Sequence, residues 1–267
     1  MNFKLHLPID EFVVIGDIAG RYNELQLLLT KFPDNLPVIL VGDLNDRGKD
    51  SNKVIQFCIN NSRVYCTQSN HGSFIVNVFE DNLMVYRNLS LLAMNGGLST
   101  LKSYGIENDA LKILENMALS YAYGVSNGNI SDIDITDTLE KVRLLIPQSH
   151  YEYLRDLPYV ITTNECLVTH APINPTMSIE KQLESSYRRE EFIWNRGNNR
   201  RMDKFQIHGH NAFRNPMVKS DKNGCFTCNV DTSRGDKLTA LHVKKGIMRL
   251  TEQEILSNCV SVEYETN

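Results

Sequence analysis

Three short apolar runs near the start of this chain each end in Gly-Asp or Ser-Asn: Phe12-Val-Val-Ile-Gly16-Asp17, Pro37-Val-Ile-Leu-Val-Gly42-Asp43 and Arg63-Val-Tyr-Cys-Thr-Gln-Ser69-Asn70. Runs of β-branched and aliphatic residues with no polar alternation read as strands of a sheet buried on both faces. Each strand end then delivers a hard oxygen ligand to one sheet edge, which is where open α/β sheets place their chemistry. Two later runs end in imidazole: His170 follows Glu165-Cys-Leu-Val-Thr169, and His208-Gly209-His210 follows Lys204-Phe-Gln-Ile207. Asp17, Asp43, Asn70, His170 and His210 together describe a metal site.

The intervening segments support this reading. Asn23 to Lys31 has helical spacing and is closed by Pro33, and Ser51 to Asn61 reads as a second helix with Ser51 as N-cap. Strand, helix, strand, helix, strand implies right-handed crossovers and α/β organisation over roughly the first ninety residues. Residues 73 to 156 turn mostly helical, broken at Gly96-Gly97 and between Gly124 and Gly128, with Pro147 before a further short helix. This block reads as a helical insertion beside the site. Strands return from Tyr159 and run to near Val262. With no internal repeat or long linker, the 267 residues are expected to form one domain.

Composition excludes several classes. A net charge of -4 with signs mixed announces no basic face for nucleic acid. No stretch approaches the roughly 20 apolar residues of a bilayer span, and the N-terminal segment lacks a signal-peptide core, so a cytoplasmic location and no membrane partner are expected. Six cysteines are too few for a disulfide scaffold at this length, and reduced thiols are expected. Cys225-Phe-Thr-Cys228 stands alone without a second pair and reads as part of a strand. His6, His150 and His242 read as structural, and His208 as a partner of His210.

Two divalent cations bridged by one carboxylate polarise a phosphoryl oxygen and lower the pKa of a bound water. Asp43, central in order, is the natural bridge. Asp17 serves the first cation, and Asn70, His170 and His210 serve the second, a mixed N/O set suited to manganese, iron or zinc. His71, adjacent to a ligand but turned elsewhere if the strand continues to alternate, is placed to protonate a leaving-group oxygen. Asp46 can orient that imidazole, and Arg47 can pair bidentately with phosphate.

These residues resemble the calcineurin-like metallophosphoesterases. The ordered motifs are Gly16-Asp-Ile-Ala-Gly20, Gly42-Asp-Leu-Asn-Asp-Arg-Gly48, Ser69-Asn-His-Gly72, His170-Ala171 and Gly209-His210. Asn95-Gly-Gly-Leu-Ser-Thr-Leu-Lys-Ser-Tyr104, Phe192-Ile-Trp-Asn-Arg196 and Val230-Asp-Thr look like the bacterial and bacteriophage phosphoprotein phosphatases typified by the phage lambda enzyme. The resemblance implies a four-layer α/β/β/α sandwich with mixed sheets. It also implies two divalent metals, manganese first and iron, zinc, nickel or cobalt as substitutes. Asp17, Asp43, Asn70, His170 and His210 carry over as ligands, His71 as acid with Asp46 behind it, and Arg47 and Arg196 as phosphate clamps. The implied reaction is attack of metal-bound hydroxide on a phosphoserine or phosphothreonine protein or a small phosphomonoester. A dinucleoside-polyphosphate hydrolase and a degenerate phosphatase that binds a ligand or partner are the alternatives.

The chain departs from the family pattern at Ala19, where a first-metal histidine is usual, and at Gln68, Ser69 and Gly72 around the third motif. Purple acid phosphatases also lack that histidine and use a tyrosine at the position of Asp46. Asp46, or a water it holds, is therefore expected to complete the first-metal shell.

Overall fold

Phe12 and Val14 face one apolar core while Val13 and Ile15 face another, so the second strand is buried on both sides. That double burial explains why its sequence does not alternate. The computed structural model describes residues 3–81, 83–124, 132–174, 176–197, 201–245, 247–254 and 261–265. The strands are β1 (Lys4–His6), β2 (Glu11–Ile15), β3 (Val38–Leu40), β4 (Val64–Cys66), β5 (Val160–Thr162), β6 (Cys166–Thr169), β7 (Phe205–His208), β8 (Met217–Asp221), β9 (Gly224–Asn229), β10 (Lys237–Lys244), β11 (Ile247–Glu254) and β12 (Ser261–Glu265). They form two sheets of order β1-β5-β6-β7-β9-β8 and β12-β11-β10-β2-β3-β4.

Both sheets are mixed. β2, β3 and β4 pair in parallel, as the strand-helix rhythm predicts, while β10 joins β2 antiparallel. In the other sheet β6, β7 and β9 run parallel, and β5 and β8 are antiparallel to their neighbours β6 and β9. Val14, Ile39 and Val41 from one sheet meet Ile161, Val168 and Ile207 from the other. Helices α1 (Tyr22–Leu29), α2 (Ser51–Asn60), α3 (Asn70–Glu80), α4 (Val85–Leu92), α5 (Leu98–Ser103), α6 (Asn108–Tyr123), α7 (Asp132–Leu145) and α8 (Gln148–Arg155) cover the outside of the β2 sheet. The short helices α9 (Ile179–Leu183), α10 (Ser186–Arg189) and α11 (Glu191–Trp194) lie on the other sheet, where Phe192 packs with Val160 and Leu167. The layers are therefore helix, sheet, sheet, helix.

Two local expectations are corrected. Ser51 is the first residue of α2 rather than its cap: Asp50 holds the cap position, and the Ser51 hydroxyl turns to the Asp46 amide and Thr100. Asn70 and His71 do not continue a strand, because β4 stops at Cys66 and both residues open α3. Ser69 caps that helix, its hydroxyl accepting from the Gly72 amide at 3.1 Å. The Gly96-Gly97 break is a kink with π spacing over Ala93–Gly97, where Gly96 has φ of 99°. Of the predicted break at Gly124 to Gly128, Gly124 ends α6 with left-handed φ, and the rest lies outside the described residues.

His150, on α8, is buried. Its Nε2 donates to Gln56 Oε1 at 3.1 Å and its Nδ1 accepts from the Tyr104 hydroxyl at 2.7 Å, a pattern suited to the neutral ring. Burial holds its pKa below the ordinary 6.5. The neutral ring thus stabilises the fold fully above that value, and the contribution falls as pH drops below it, because the unfolded chain then binds the extra proton. The stability difference between wild type and His150→Gln is expected to shrink between about pH 7 and 5 in urea titrations. A constant difference would contradict this.

Among the described residues Cys58, Cys66, Cys166 and Cys228 are buried and behave as small hydrophobes. Among the described residues Cys58, Cys66, Cys166, Cys225 and Cys228 are free, and burial pushes the Cys228 thiol up to about 12. Cys225 and Cys228 lie within β9.

Candidate metal centre and active site

Backbone strain marks the site. Ala19, Asp43, Asp46, Arg47 and His210 all have left-handed φ, between 45° and 72°, although none is glycine. Such residues cost about 1–3 kcal/mol each and persist where surrounding structure fixes them. Here they are the tight turns after β2, after β3 and after β7 that aim side chains across the sheet ends. Gly209 makes this packing possible: a Cβ there would lie 2.0 Å from Asp17 Oδ1 and 2.7 Å from a Val41 methyl. Gly209→Ala is accordingly expected to displace Asp17 and to weaken divalent-metal binding by at least about tenfold in calorimetry. Unaltered affinity would show that the turn yields without cost.

The five candidate ligands come together from five separate chain segments, one each after β2, β3, β4, β6 and β7. Potential ligand atoms of Asp17, Asp43 and His170 all lie within 4.8 Å of one another. His170 Nε2 is 3.4 Å from Asp43 Oδ1 and 2.7 Å from Asn70 Oδ1, and His210 Nδ1 is 3.1 Å from the same Asn70 oxygen. All five residues are buried.

The protonation pattern tests whether these residues suit a cation. His170 Nδ1 must donate to the Val41 carbonyl at 2.8 Å, so in the neutral ring Nε2 carries a lone pair. That lone pair faces the Asn70 amide oxygen, another acceptor. His210 Nε2 is buried without a hydrogen-bond partner. Burial lowers the pKa of His170 and brings that of His210 down to about 3, leaving both rings neutral as metal ligands require. Burial, then the charges of Asp231 and Asp43, push the Asp17 carboxyl well up. Burial opposes ionisation of Asp43, yet the imidazoles of His170, His71 and His210 outweigh it and hold its pKa down. Converging lone pairs and clustered carboxylates fit a divalent metal.

His71 sits beside this cluster with its proton position fixed. Its Nδ1 meets Asp46 Oδ2 at 2.5 Å, which leaves Nε2 directed toward Asp43, 3.7 Å from Oδ2. The net effect of Asp43 and Asp46, working against burial, raises the His71 pKa. The His71 amide, exposed as an unpaired donor by the helix start, donates to Asp43 Oδ1 at 3.3 Å.

Asp46 is fully occupied. Its Oδ1 accepts from the Thr100 hydroxyl at 2.7 Å and from the Asn45 amide at 2.9 Å, and Oδ2 holds His71. Asp46 is completely buried, and these contacts direct its carboxylate to orienting the His71 imidazole. Thr100 and Asn45 were not identified from sequence as part of this anchor. Nor was Asp231, the buried carboxylate whose charge acts on Asp17.

The two arginines lie at the rim and are exposed. Arg47 donates its backbone amide to Gly96 O at 3.2 Å, and its stem passes 3.1 Å from where a Gly96 Cβ would be, so the helix kink accommodates it. Arg196 Nη1 donates to His210 O at 3.4 Å and to Asn211 Oδ1 at 3.2 Å. Trp194 meets Phe74 and His210 edge-on, and Phe74 in turn meets His71 edge-on. This aromatic wall packs two of the site's imidazoles.

The calcineurin-like phosphoesterase family model matches residues 11–211, the span from β2 through the His210 turn. The chain belongs to that family. Members are divalent-metal-dependent phosphoester hydrolases, and this phosphoesterase has a donor cluster to match. It is 34% identical over 71 residues to a zinc-dependent endopolyphosphatase of Saccharomyces cerevisiae, a match covering 25% of the chain and 22% of that protein. Solved structures share its fold. A putative diadenosine tetraphosphatase superposes with a TM-score of 0.55 at 17% identity, covering 98% of each chain. A cold-active protein-tyrosine phosphatase of a psychrophilic Shewanella reaches 0.53 at 15% identity, covering 98% of this chain and 82% of that one. A protein serine/threonine phosphatase of Saccharomyces cerevisiae gives 0.50 at 15%, covering 99% and 83%. At these identities the likenesses speak for the sandwich fold alone.

Within the phosphoesterase, the departures around the third motif have structural uses. Gln68 Nε2 donates to Leu154 O at 2.8 Å, and its Oε1 accepts from the Ser69 amide at 2.9 Å. It ties β4 to α8 rather than facing a phosphate. Ser69, besides capping α3, adds a hydrogen bond that favours ionised Asp43. Among the described residues no helix is long and apolar enough to cross a membrane.

Proposed function

We propose that the phosphoesterase is a phosphomonoesterase of the lambda-type branch, acting on phosphoserine or phosphothreonine in proteins, with one dinuclear centre in one domain. The observation carrying this reading is His71: a 2.5 Å contact with Asp46 fixes Nδ1, and Nε2 is left facing the ligand cluster. Asp17 and Asp43 would hold a first divalent metal, and Asp43, Asn70, His170 and His210 a second, manganese being the best fit to the mixed donors. When bound, the metal pair supplies Lewis-acid polarisation of phosphoryl oxygens and lowers the pKa of water.

The chain's own residues do the rest. His71 carries a proton at Nε2 and delivers it to the leaving-group oxygen, so that a serine or threonine alkoxide departs as an alcohol. Asp46, itself held by Thr100 and Asn45, accepts from Nδ1–H and so favours the doubly protonated ring whose Nε2–H is donated. Arg47 and Arg196 reach the phosphoryl oxygens from opposite turns and orient them. The N-terminus of α3, beginning at Asn70, adds its dipole toward the anionic substrate.

Purified protein with manganese is expected to hydrolyse p-nitrophenyl phosphate and phosphoserine peptides faster than diadenosine tetraphosphate. A preference for the dinucleotide would replace the protein-phosphatase reading with the nucleotide-hydrolase one. Zero turnover with manganese, iron, cobalt, nickel and zinc would make the chain a binding protein.

Ala19 gives a second test. With φ of 49° it stands in a conformation that histidine tolerates better than most side chains. Ala19→His is expected to tighten binding of one manganese ion by about tenfold or more, since it adds an imidazole ligand to the poorer site. Calorimetric titration reads this directly, and unchanged affinity would mean that another group already serves there.

A further inference from the structure

A cavity of about 190 Å³ opens beside the metal centre, at the ends of β7, β9 and β8. Arg196, His208, Asn211, Lys219, Thr227 and Asn229 supply its polar lining, and no acidic side chain lines it. It shares a wall with the active site, because Arg196 bridges the His210 carbonyl and the Asn211 side chain, and Asn229 Nδ2 holds the Asn211 carbonyl at 2.8 Å. Two cations and several amide or hydroxyl donors in a small recess favour an anionic group.

Its size and layout narrow the ligand. The volume is below the roughly 300–1,000 Å³ of pockets that enclose drug-sized molecules, so it suits a side chain rather than a nucleoside. Lys219 pairs with Thr227, which pairs with Gln206 of β7, so the lysine stands two strands from the one leading to His210. At about 4.8 Å per strand this places its backbone about 10 Å to the side. A phosphoryl group joined directly to the scissile one would meet Arg196 first. A group several bonds away reaches Lys219.

We propose that this cavity is a specificity subsite for an anionic side chain flanking the phosphoresidue of a peptide substrate. The proposal rests on the phosphoprotein reading of the active site. Arg196 then serves both compartments, and Lys219 reads the neighbouring residue of the substrate.

The manganese-loaded enzyme is tested on two phosphoserine peptides that differ only in having Glu or Lys at the flanking positions. Wild type is expected to favour the acidic peptide in kcat/KM by roughly 10-fold, an advantage that shrinks as salt rises. Lys219→Gln should bring the ratio near one, and Lys219→Glu should invert it, each variant's melting temperature being measured alongside. Equal rates on the two peptides in wild type overturn the subsite and leave the phosphoprotein reading standing. Hydrolysis of p-nitrophenyl phosphate with neither peptide cleaved overturns both. Tripolyphosphate cleaved in preference, with its KM raised by Lys219→Gln, reassigns the cavity to a phosphoanhydride and also overturns the proposal.

Discussion

His71→Asn is expected to lower kcat on p-nitrophenyl phosphate or a phosphoserine peptide by about 10²- to 10⁴-fold, the usual contribution of a positioned general acid. Asparagine keeps a polar group beside Asp46 but cannot deliver a proton at neutral pH. The loss should be larger for the peptide than for the nitrophenyl ester. A serine alkoxide needs the proton to leave, whereas nitrophenolate leaves well without it. The ratio of the two losses therefore separates acid catalysis from simple damage to the site. Equal losses on both substrates would remove His71 from the acid role and leave it as a structural neighbour of Asp43. Because Asp46 is held by Thr100 and Asn45, Thr100→Val is expected to act in the same direction through ring misplacement, with a smaller effect.

Asp43→Asn is expected to abolish most metal-dependent behaviour. As the proposed bridge, Asp43 contributes to both cations, and losing several kcal/mol of charge stabilisation, about 4 kcal/mol for example, corresponds to roughly 10³-fold in rate. Stability provides an independent readout. Wild type should melt higher when manganese is added, since a ligand at 100 times its Kd stabilises by about 2.7 kcal/mol. Asp43→Asn should lose that increment. A variant still stabilised by manganese as strongly as wild type would refute the bridging role.

The strand-terminal motifs were legible because their chemistry is local. A short aliphatic run followed by Gly-Asp fixes both a strand and the oxygen at its end, and β2 and β3 appear where those runs stand. The parallel order of β2, β3 and β4 likewise follows from the helices between them. Val64 to Ser69 reads as extended up to Asn70, yet β4 stops at Cys66 and Asn70 and His71 open a helix. The deciding feature is Ser69, whose hydroxyl caps α3 and turns the chain into a helix. Ser51 reads as a cap from local pattern, but its hydroxyl is claimed by Asp46 and Thr100, from elements that local pattern does not connect.

From sequence alone came the kinds of group present, namely carboxylates, an amide and imidazoles at strand ends, with a histidine and arginines beside them. Their distances came from the tertiary structure. Two sheets packed face to face bring residue 17 against residue 209 and residue 70 against residue 170, contacts that no local pattern encodes. The same packing decided that Asp46 holds His71, and that Asp231 adds its charge to the cluster. Side-chain chemistry is written residue by residue, whereas hydrogen-bond partnership and electrostatic environment depend on which distant segments the buried core holds together.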